Sequence, residues 1–410
     1  MRNTARILML LFAFAIPWEY SLDLGVPLGN VARILGLAVL LAAIPAVLEW
    51  GRMRTPGAMQ WMALALFVWF CLSYLWTIDQ TATLEKVRGY FQEMMIVFLV
   101  WEFADNASDV RSLLRVFVAG EWVLALLTLY NFSSPEAIAA GQMRFAAYGQ
   151  DPNDVARFLD LGFPLAALLI ASESRRWARL MAIGYLPLGL FAVLLTASRG
   201  GFVGAVAALT GSAILLGRGH KRAVLAAAMA LPVAGAGLWL AIPPQIFERL
   251  ATIPVQLRGG DLNQRLNIWS SGWHAFRQAP LAGTGAGTFV AAAGLAPLDT
   301  AHNTVLSIAV GGGLCALTLA AAIVFLAVIA ALRTSGLLRV ALVTSLVVWM
   351  ISSLTATVEE SRTTWLLLAL IAVAGRLAAD DPEALASCFP APAGESCLAS
   401  AAGQIAQTQS

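Results

Sequence analysis

Long apolar segments separated by short polar stretches repeat along almost the whole chain. A helix that crosses roughly 30 Å of hydrocarbon needs about 17 to 25 mainly apolar residues. Twelve segments fit that length: residues 6–22, 30–49, 57–77, 88–104, 113–132, 153–172, 180–197, 200–217, 223–243, 303–331, 339–355 and 363–379. Because backbone groups in lipid must be paired within their own segment, the pattern predicts an all-α integral membrane protein with about twelve transmembrane helices.

The spacing of these segments predicts one polytopic transmembrane domain over residues 1–379. Its longest polar interruption, the loop 243–300, lies between spans nine and ten and contains helical patterns of its own. The tail 380–410 is rich in Ala, Pro, Ser and Gln, a composition that predicts disorder. The basic, then apolar N-terminus lacks a small-residue cleavage site and predicts an uncleaved first span rather than a signal peptide.

Basic residues between the spans fall mostly on one side of the predicted membrane. That side carries Arg2, Arg6, Arg52, Arg54, Arg111, Arg115, Arg175, Arg176, Arg179, Arg218, Lys221, Arg222, Arg333, Arg339 and Arg376. Since positive charge is enriched in cytoplasmic loops, both termini are predicted to be cytoplasmic. The loop 243–300 is then outside.

Composition agrees with this class and excludes others. The chain is 59% hydrophobic and 12% charged, with a mean hydropathy of +0.76, values typical of a multi-pass membrane protein. A net charge of +2 argues against a nucleic-acid-binding surface. The four cysteines show no CxxC spacing, so neither a disulfide framework nor a zinc site is expected. The glycine-rich residues 283–287 follow a Pro280 turn and not a strand, which argues against a dinucleotide site.

The outer side nevertheless carries ten cations: Lys86, Arg88, Arg144, Arg157, Arg199, Arg249, Arg258, Arg265, Arg277 and Arg362. Almost all are arginines, whose rigid fork of donors binds phosphate oxygens in pairs. This excess indicates a strongly anionic ligand such as a diphosphate. Alternatively, some are interface anchors or pair with nearby acids. The acids in reach are Asp79, Glu85, Asp151, Asp154, Glu359 and Glu360.

Two of these arginines have informative surroundings. Arg199 lies in a link between two spans that is too short to reach bulk water, so we expect it to face a polar cavity. Arg265 opens a segment in which aromatic and apolar residues recur at three and four positions, the spacing of a helix. They are Leu266, Trp269, Trp273 and Phe276. Such a helix could lie in the outer interface or cover the bundle.

The three histidines differ in their expected roles. His220 lies in a cytoplasmic basic cluster and is predicted to be a surface residue, while His274 is predicted to be structural. His302 precedes a span that begins at the outer boundary. A neutral imidazole there can accept a proton near neutral pH, as a general base for a hydroxyl nucleophile must. A capping or packing role is the alternative.

Three motifs together resemble the O-antigen ligase and O-antigen polymerase superfamily of bacterial envelope glycosyltransferases. They are residues 196–201 (TASRGG), residues 265–269 (RLNIW) followed by 280–285 (PLAGTG), and His302-Asn303 with Gly312 downstream. The resemblance is best from about residue 144 to 313, and the predicted topology agrees with it. It implies a GT-C-like membrane fold in the bacterial inner membrane, with the active site facing the periplasm.

The resemblance also implies a reaction and its residues. A sugar chain would pass from undecaprenyl diphosphate to an acceptor hydroxyl without a metal or a nucleotide cofactor. Arg199 and Arg265 would hold the donor diphosphate, with Arg144 and Arg88 as further candidates, and His302 would activate the acceptor. Fixed guanidinium groups in a low-dielectric cleft can stabilise the charge that develops on the leaving group. Direct displacement with a base behind the acceptor would invert the anomeric configuration.

Within this superfamily the sequence favours a ligase, which transfers the finished O-antigen to the lipid A–core oligosaccharide. A polymerase, which joins repeat units on lipid carriers, is the alternative. Polymerases often carry two sizeable outward loops with arginine-to-glycine spacings. Here one such loop is long, and neither Arg144 nor Arg265 reaches a glycine at that spacing. The short tail disfavours protein O-glycosylation, and a transporter of an anionic lipid-linked sugar is more remote because no broken helices or related halves are evident.

Overall fold

A computed structural model describes residues 1–25, 29–217, 241–262, 264–296 and 299–390. In this part of the chain the regular elements are helices, and a 3₁₀ turn, Ile16–Ser21, follows the first of them. The helices are α1 (Arg2–Ala15), α2 (Val31–Trp50), α3 (Ala58–Ser73), α4 (Gln80–Phe103), α5 (Ala107–Phe132), α6 (Pro135–Ala139), α7 (Pro152–Ser172), α8 (Arg176–Leu195), α9 (Arg199–Gly217), α10 (Pro244–Ala251), α11 (Ile253–Gly259), α12 (Arg265–Gln278), α13 (Phe289–Ala292), α14 (Thr304–Arg333), α15 (Gly336–Thr355), α16 (Arg362–Asp380) and α17 (Pro382–Cys388).

Eight of the described helices are long and apolar enough to cross a membrane: α2, α5, α7, α8, α9, α14, α15 and α16. Three further predicted spans correspond to α1, α3 and α4, of which α1 and α3 are only 14 and 16 residues long. The ninth predicted span, 223–243, lies almost entirely outside the described residues. The protein is therefore a helical multi-pass membrane protein with eight candidate spans among the described residues.

The chain packs as two compact units. Unit 1 combines Met1–Asp105, Glu248–Ala330 and Trp349–Val373. Unit 2 combines Asn106–Phe247, Ala331–Val348 and Ala374–Ser410. Each unit has its own helix packing and its own candidate site residues.

Helix α7 forms the centre of unit 2. It packs against α5, α8 and α9, and 16 of its 21 residues are buried. Gly201 allows α9 to approach closely, because a Cβ atom there would lie 2.3 Å from the Cβ of Ala156. This glycine therefore serves helix packing within the unit.

Unit 1 contains a broken helix, which the sequence pattern did not reveal. Gly313 in α14 has φ +66°, outside the helical region. The glycine-rich segment 280–285 runs into the break. There the N–H groups of Thr284 and Gly285 donate to the carbonyls of Val310 and Gly311 at 2.9 and 3.0 Å. The backbone groups at the break are thus paired by protein, which membrane-depth backbone requires.

One end of unit 1 is fastened by a basic cluster at Asp105. Arg2, Arg6 and Arg54 all form ion pairs with this carboxylate. Burial alone would raise the pKa of Asp105, but the hydrogen bond from Arg2 and the three positive charges outweigh it, so the pKa is lowered. These residues belong to the N-terminus and to the links after α2 and α4, which the sequence placed on one side.

An equivalent contact lies in unit 2, where Arg115 donates to Glu173 at 2.6 Å. Burial would raise the pKa of Glu173, but the Arg115 hydrogen bond, the backbone N–H of Arg175 and nearby positive charge lower it instead.

The start of the tail differs from the predicted disorder. Asp381 caps helix α17, and Phe389 is buried beneath the guanidinium of Arg111, 5.2 Å from its ring centroid. Residues 391–410 lie outside the described part.

Candidate active site

A tight turn in unit 2 presents Arg199 at the first position of α9. Helix α8 ends at Leu195, and Ala197 adopts φ +48°, a left-handed conformation that is uncommon for a residue with a side chain. Ser198 then caps α9, because its Oγ accepts the N–H of Gly201 at 3.1 Å. The result is a half-buried arginine at the positive end of a helix dipole, an arrangement that favours an anion.

Arg144 lies against the same turn. Its Nε donates to the carbonyl of Thr196 at 3.1 Å, and its Nη2 donates to Oδ1 of Asn153 at 2.8 Å. The hydroxyl of Ser198 donates to that same oxygen at 2.9 Å. The structure therefore brings two predicted site residues, Arg144 and Arg199, onto one hydrogen-bonded turn, and Asn153 joins them.

The His302 turn lies in unit 1. His302 has φ +47°, another left-handed conformation, and its Nδ1 lies 3.2 Å from the hydroxyl of Thr300. The neighbouring Asn303 caps α14, since its Oδ1 accepts the N–H of Leu306 at 2.9 Å. Because Asn303 serves as the cap, the capping role that was the alternative for His302 is already filled. Strained backbone of this kind is concentrated at functional sites.

Helix α12, which begins at Arg265, is fixed to the His302 turn. The indole N–H of Trp269 donates to the carbonyl of Ala301 at 3.1 Å. Around this bond, Ile268 and Ala275 of α12 share a buried apolar cluster with Ala301, and Trp269 packs against it. A candidate phosphate-binding arginine and a candidate base are therefore carried by elements that pack together in unit 1.

The predicted aromatic stripe of α12 divides between two faces. Trp269 and Phe276 pack against the buried cluster. Leu266 and Trp273 are 48% and 56% exposed. The helix therefore covers the bundle with one face and leaves Leu266 and Trp273 exposed on another.

A loop between α15 and α16 is joined to the start of α14. The buried hydroxyl of Thr304 donates to the carbonyl of Ala356 at 2.9 Å and accepts the N–H of Val358 at the same distance. Lys86 of α4 holds the loop on its other side through ion pairs with Glu359 and Glu360. This acidic loop is thus fixed between the His302 turn and α4.

Several of the cations that were predicted to lie on the outer side pair with acids, which is the alternative interpretation given above. In addition to Lys86, Arg157 lies 3.2 Å from Asp154, and Arg362 forms an ion pair with Glu19. These cations have a structural role. Arg88 lies on the exposed side of α4, two residues from the buried Lys86, so on this helix the lysine is the cation that the fold encloses.

An apolar groove runs along α2 in unit 1. One cavity of about 430 Å³ is lined by apolar residues of α1, α2 and α4 together with Arg33, Gln92 and Arg362. A second of about 370 Å³ shares Leu40, Met95 and Leu99 with the first, so the two are adjacent. A groove lined mainly by apolar side chains suits the hydrocarbon of a lipid.

These observations define a helical multi-pass membrane protein with arginines and a histidine on two ordered turns. A sequence model of the O-antigen ligase family matches residues 184–321. This segment is therefore similar to the O-antigen ligase family, which confirms the resemblance inferred from the motifs. The matched segment includes Arg199, Arg265 and His302, whereas Arg144 and Arg88 precede it. No curated protein matches the chain.

Sequence reasoning missed the residues that hold these turns in place. Asn153 receives two hydrogen bonds at the Arg199 turn, and Thr304 makes two at the His302 turn. Thr304 directly follows His302-Asn303, so its position was a usable signal. Asn153 had only the weak signal of following the helix-starting pair Asp151-Pro152. Among the described residues, no three His, Cys, Asp or Glu side chains are grouped so as to hold a metal ion.

Proposed function

We propose that the protein is a membrane glycosyltransferase, an O-antigen ligase, that transfers the polysaccharide from undecaprenyl diphosphate to the lipid A–core oligosaccharide. One observation carries this proposal: within the matched family segment, the helix of Arg265 is bonded through Trp269 to the turn of His302. A phosphate-binding group and a base on one packed assembly are what glycosyl transfer from a diphosphate requires. The groove along α2 is suited to a lipid carrier.

In this proposal each candidate has one task. Arg199, Arg265 and Arg144 stabilise negative charge on the departing diphosphate, and Arg88 is a further contributor. When Nδ1 of His302 donates to Thr300, Nε2 is the nitrogen that takes the proton of the acceptor hydroxyl. The hydroxyl oxygen attacks the anomeric carbon as the bond to diphosphate breaks. Because this is one displacement, the product is inverted, and NMR of the linkage checks this.

We further propose that the protein lies in the bacterial inner membrane with both termini in the cytoplasm and the site facing the periplasm. The basic cluster at Asp105, which gathers the N-terminus and two predicted inner links at one end of unit 1, supports this orientation. The loop 243–300, whose described part is largely helical, would then lie outside with Arg265.

Deleting the gene in its host and examining the lipopolysaccharide tests the function. Loss of the O-antigen ladder with accumulation of long lipid-linked chains supports a ligase. Core capped by a single repeat unit would instead show a polymerase. Purified protein that forms the glycosidic bond from lipid-linked donor and acceptor excludes transport as its sole activity.

Complementation with single variants then tests the site. We expect His302→Ala, Arg199→Ala and Arg265→Ala to lose the ladder while the proteins accumulate normally in the membrane. Arg277→Ala, at the other end of the Arg265 helix, is a matched control that should restore the ladder. If His302→Ala also restores a full ladder, His302 is not the base.

A further inference from the structure

Two acidic side chains lie at the centre of unit 2, away from the turns described above. Glu121 belongs to α5 and Asp160 to α7, and both side chains are 0% exposed. Both helices are candidate membrane spans. An ionisable residue inside a membrane bundle is costly, so its presence calls for a specific partner or ligand.

Neither carboxyl has a partner in the part of the chain that the structure describes. All four of their oxygens are buried and make no hydrogen bond there. Glu121 lies close enough to Asp160 for the two carboxyls to interact. The phenol of Tyr185 on α8 lies near both, but its hydroxyl hydrogen is already donated to the carbonyl of Leu159 at 2.6 Å.

The fourth helix of the bundle, α9, presents backbone to Asp160. A Cβ atom at Gly204 would lie 2.4 Å from Oδ2 of Asp160, so the absence of a side chain at Gly204 makes room for the carboxyl. The helices α5, α7, α8 and α9 thus surround Glu121 and Asp160 without supplying a described cation to either. By contrast, Glu359 of unit 1, also buried, has Lys86 beside it.

From this geometry we infer that Glu121 and Asp160 form a proton-binding site inside unit 2, whose ligand is a proton taken from water. Two unpaired carboxylates enclosed together would lose their hydration and repel each other. A carboxylic acid is neutral and supplies one O–H donor to a neighbouring oxygen. The inference is independent of the proposed transferase activity, since it rests on residues that the reaction does not use.

Infrared spectroscopy of the full chain in lipid nanodiscs tests the inference. At neutral pH we expect a carbonyl stretch of protonated carboxylic acid, which is lost in the double variant Glu121→Gln, Asp160→Asn. Glu173→Gln removes an acid that is ion-paired with Arg115 and serves as the control that leaves this band unchanged. A difference spectrum that shows only carboxylate bands overturns the inference. Loss of the band on adding sodium chloride, but not choline chloride, would overturn it in favour of a sodium site.

A second measurement does not depend on the variants folding. Dicyclohexylcarbodiimide adds the O–H of a protonated carboxyl across its own C=N bond, so the adduct gains the mass of one reagent molecule and nothing is released. Applied to the unaltered protein at neutral pH, it should modify Glu121 or Asp160, as located by mass spectrometry of peptides. Adducts confined to other residues would contradict the proton site.

Discussion

His302 is the residue at which backbone conformation and candidate chemistry coincide. A left-handed conformation at a residue with a side chain costs about 1–3 kcal/mol, so neighbouring contacts must hold it. Those contacts are identifiable: Asn303 caps the helix that follows, and Trp269 binds the carbonyl of Ala301 that precedes. The turn therefore positions the imidazole, and residues that fix the turn should control its reactivity.

Thr304 gives the first prediction from this argument. In Thr304→Val the side chain keeps its shape, but the carbonyl of Ala356 and the N–H of Val358 lose their partner. Each buried unpaired group costs about 1–3 kcal/mol, so we expect the acidic loop and the His302 turn to shift. A misplacement of about 1 Å can lower kcat about a hundredfold, and we expect a loss of that order. Transfer by purified protein, measured over a range of donor and acceptor concentrations, checks it.

Thr304→Ser is the matched control because it keeps the hydroxyl and both hydrogen bonds. We expect Ser to restore most of kcat, while KM changes little in either variant because Thr304 touches no proposed substrate group. Equal kcat values for the Val and Ser variants, at equal thermal stability, would show that the hydroxyl does not position the turn.

At the scale of elements, the break in α14 is the feature that orders unit 1. The segment 280–285 can enter the break because glycines lie at the two closest backbone contacts, one in each segment. A Cβ atom at Gly313 would lie 2.2 Å from the carbonyl oxygen of Leu281, and one at Gly283 would lie 2.5 Å from that of Gly311. The contact thereby links the segment after the Arg265 helix to the helix that His302 precedes.

We predict that Gly313→Ala abolishes this contact. The backbone of Gly313 is left-handed, with φ +66°, which disfavours any side chain. An added Cβ would also clash with the carbonyl of Leu281, and backbone atoms cannot rotate aside as a flexible side chain can. We expect a large loss of folded protein in detergent, measured as the monodisperse fraction and the apparent Tm.

Gly336→Ala separates the two causes in the Gly313 experiment. Gly336 also has a left-handed backbone, φ +55°, but nothing lies within 4 Å of its Cβ position. Its substitution should therefore cost only the conformational penalty of about 1–2 kcal/mol. If the two variants are equally stable, close approach at Gly313 contributes nothing.

The sequence predicted element type better than element detail, for physical reasons that individual residues show. Apolar length alone located α2, α5 and α7, because a membrane imposes that length. The stripe of α12 was visible as a period, but which residues face inward depends on the partner: Trp269 packs against the buried cluster, whereas Trp273 is exposed. The break at Gly313 left no periodic signal, since it depends on pairing with residues about thirty positions earlier.

For the whole molecule, the proposed orientation makes a prediction about labelling. In a variant lacking Cys71, Cys315, Cys388 and Cys397, single cysteines would be placed at Tyr148 and Met53, which are 83% and 61% exposed. Because Tyr148 lies in a predicted outer link and Met53 in a predicted inner one, a membrane-impermeant maleimide added to spheroplasts should label only the first. Labelling of Met53→Cys before lysis would show that the protein has the opposite orientation.

Acid stability is a second property of the whole molecule that depends on charge. Asp105 forms ion pairs within unit 1, and Glu173 forms one within unit 2. Both carboxyls have lowered pKa values in the folded protein. A lowered pKa adds stability that is fully present above the unfolded-state value and is lost as pH falls through the folded-state value. For Asp105, with an ordinary value of 3.8, the loss therefore lies in acid below that pH.

We predict that Asp105→Asn lowers the apparent Tm at neutral pH, where Arg2, Arg6 and Arg54 lose their anion, and that the difference from the unaltered protein shrinks as the pH is lowered past 3.8. Thermal unfolding in detergent across this pH range checks the prediction. The control is Asp23→Asn, which removes an exposed carboxylate that accepts the N–H of Gly25. We expect it to have little effect on the Tm at neutral pH. A Tm difference for Asp105→Asn that stays constant into strong acid would mean that the cluster stabilises unit 1 through packing of the arginine stems and not through the charge of Asp105.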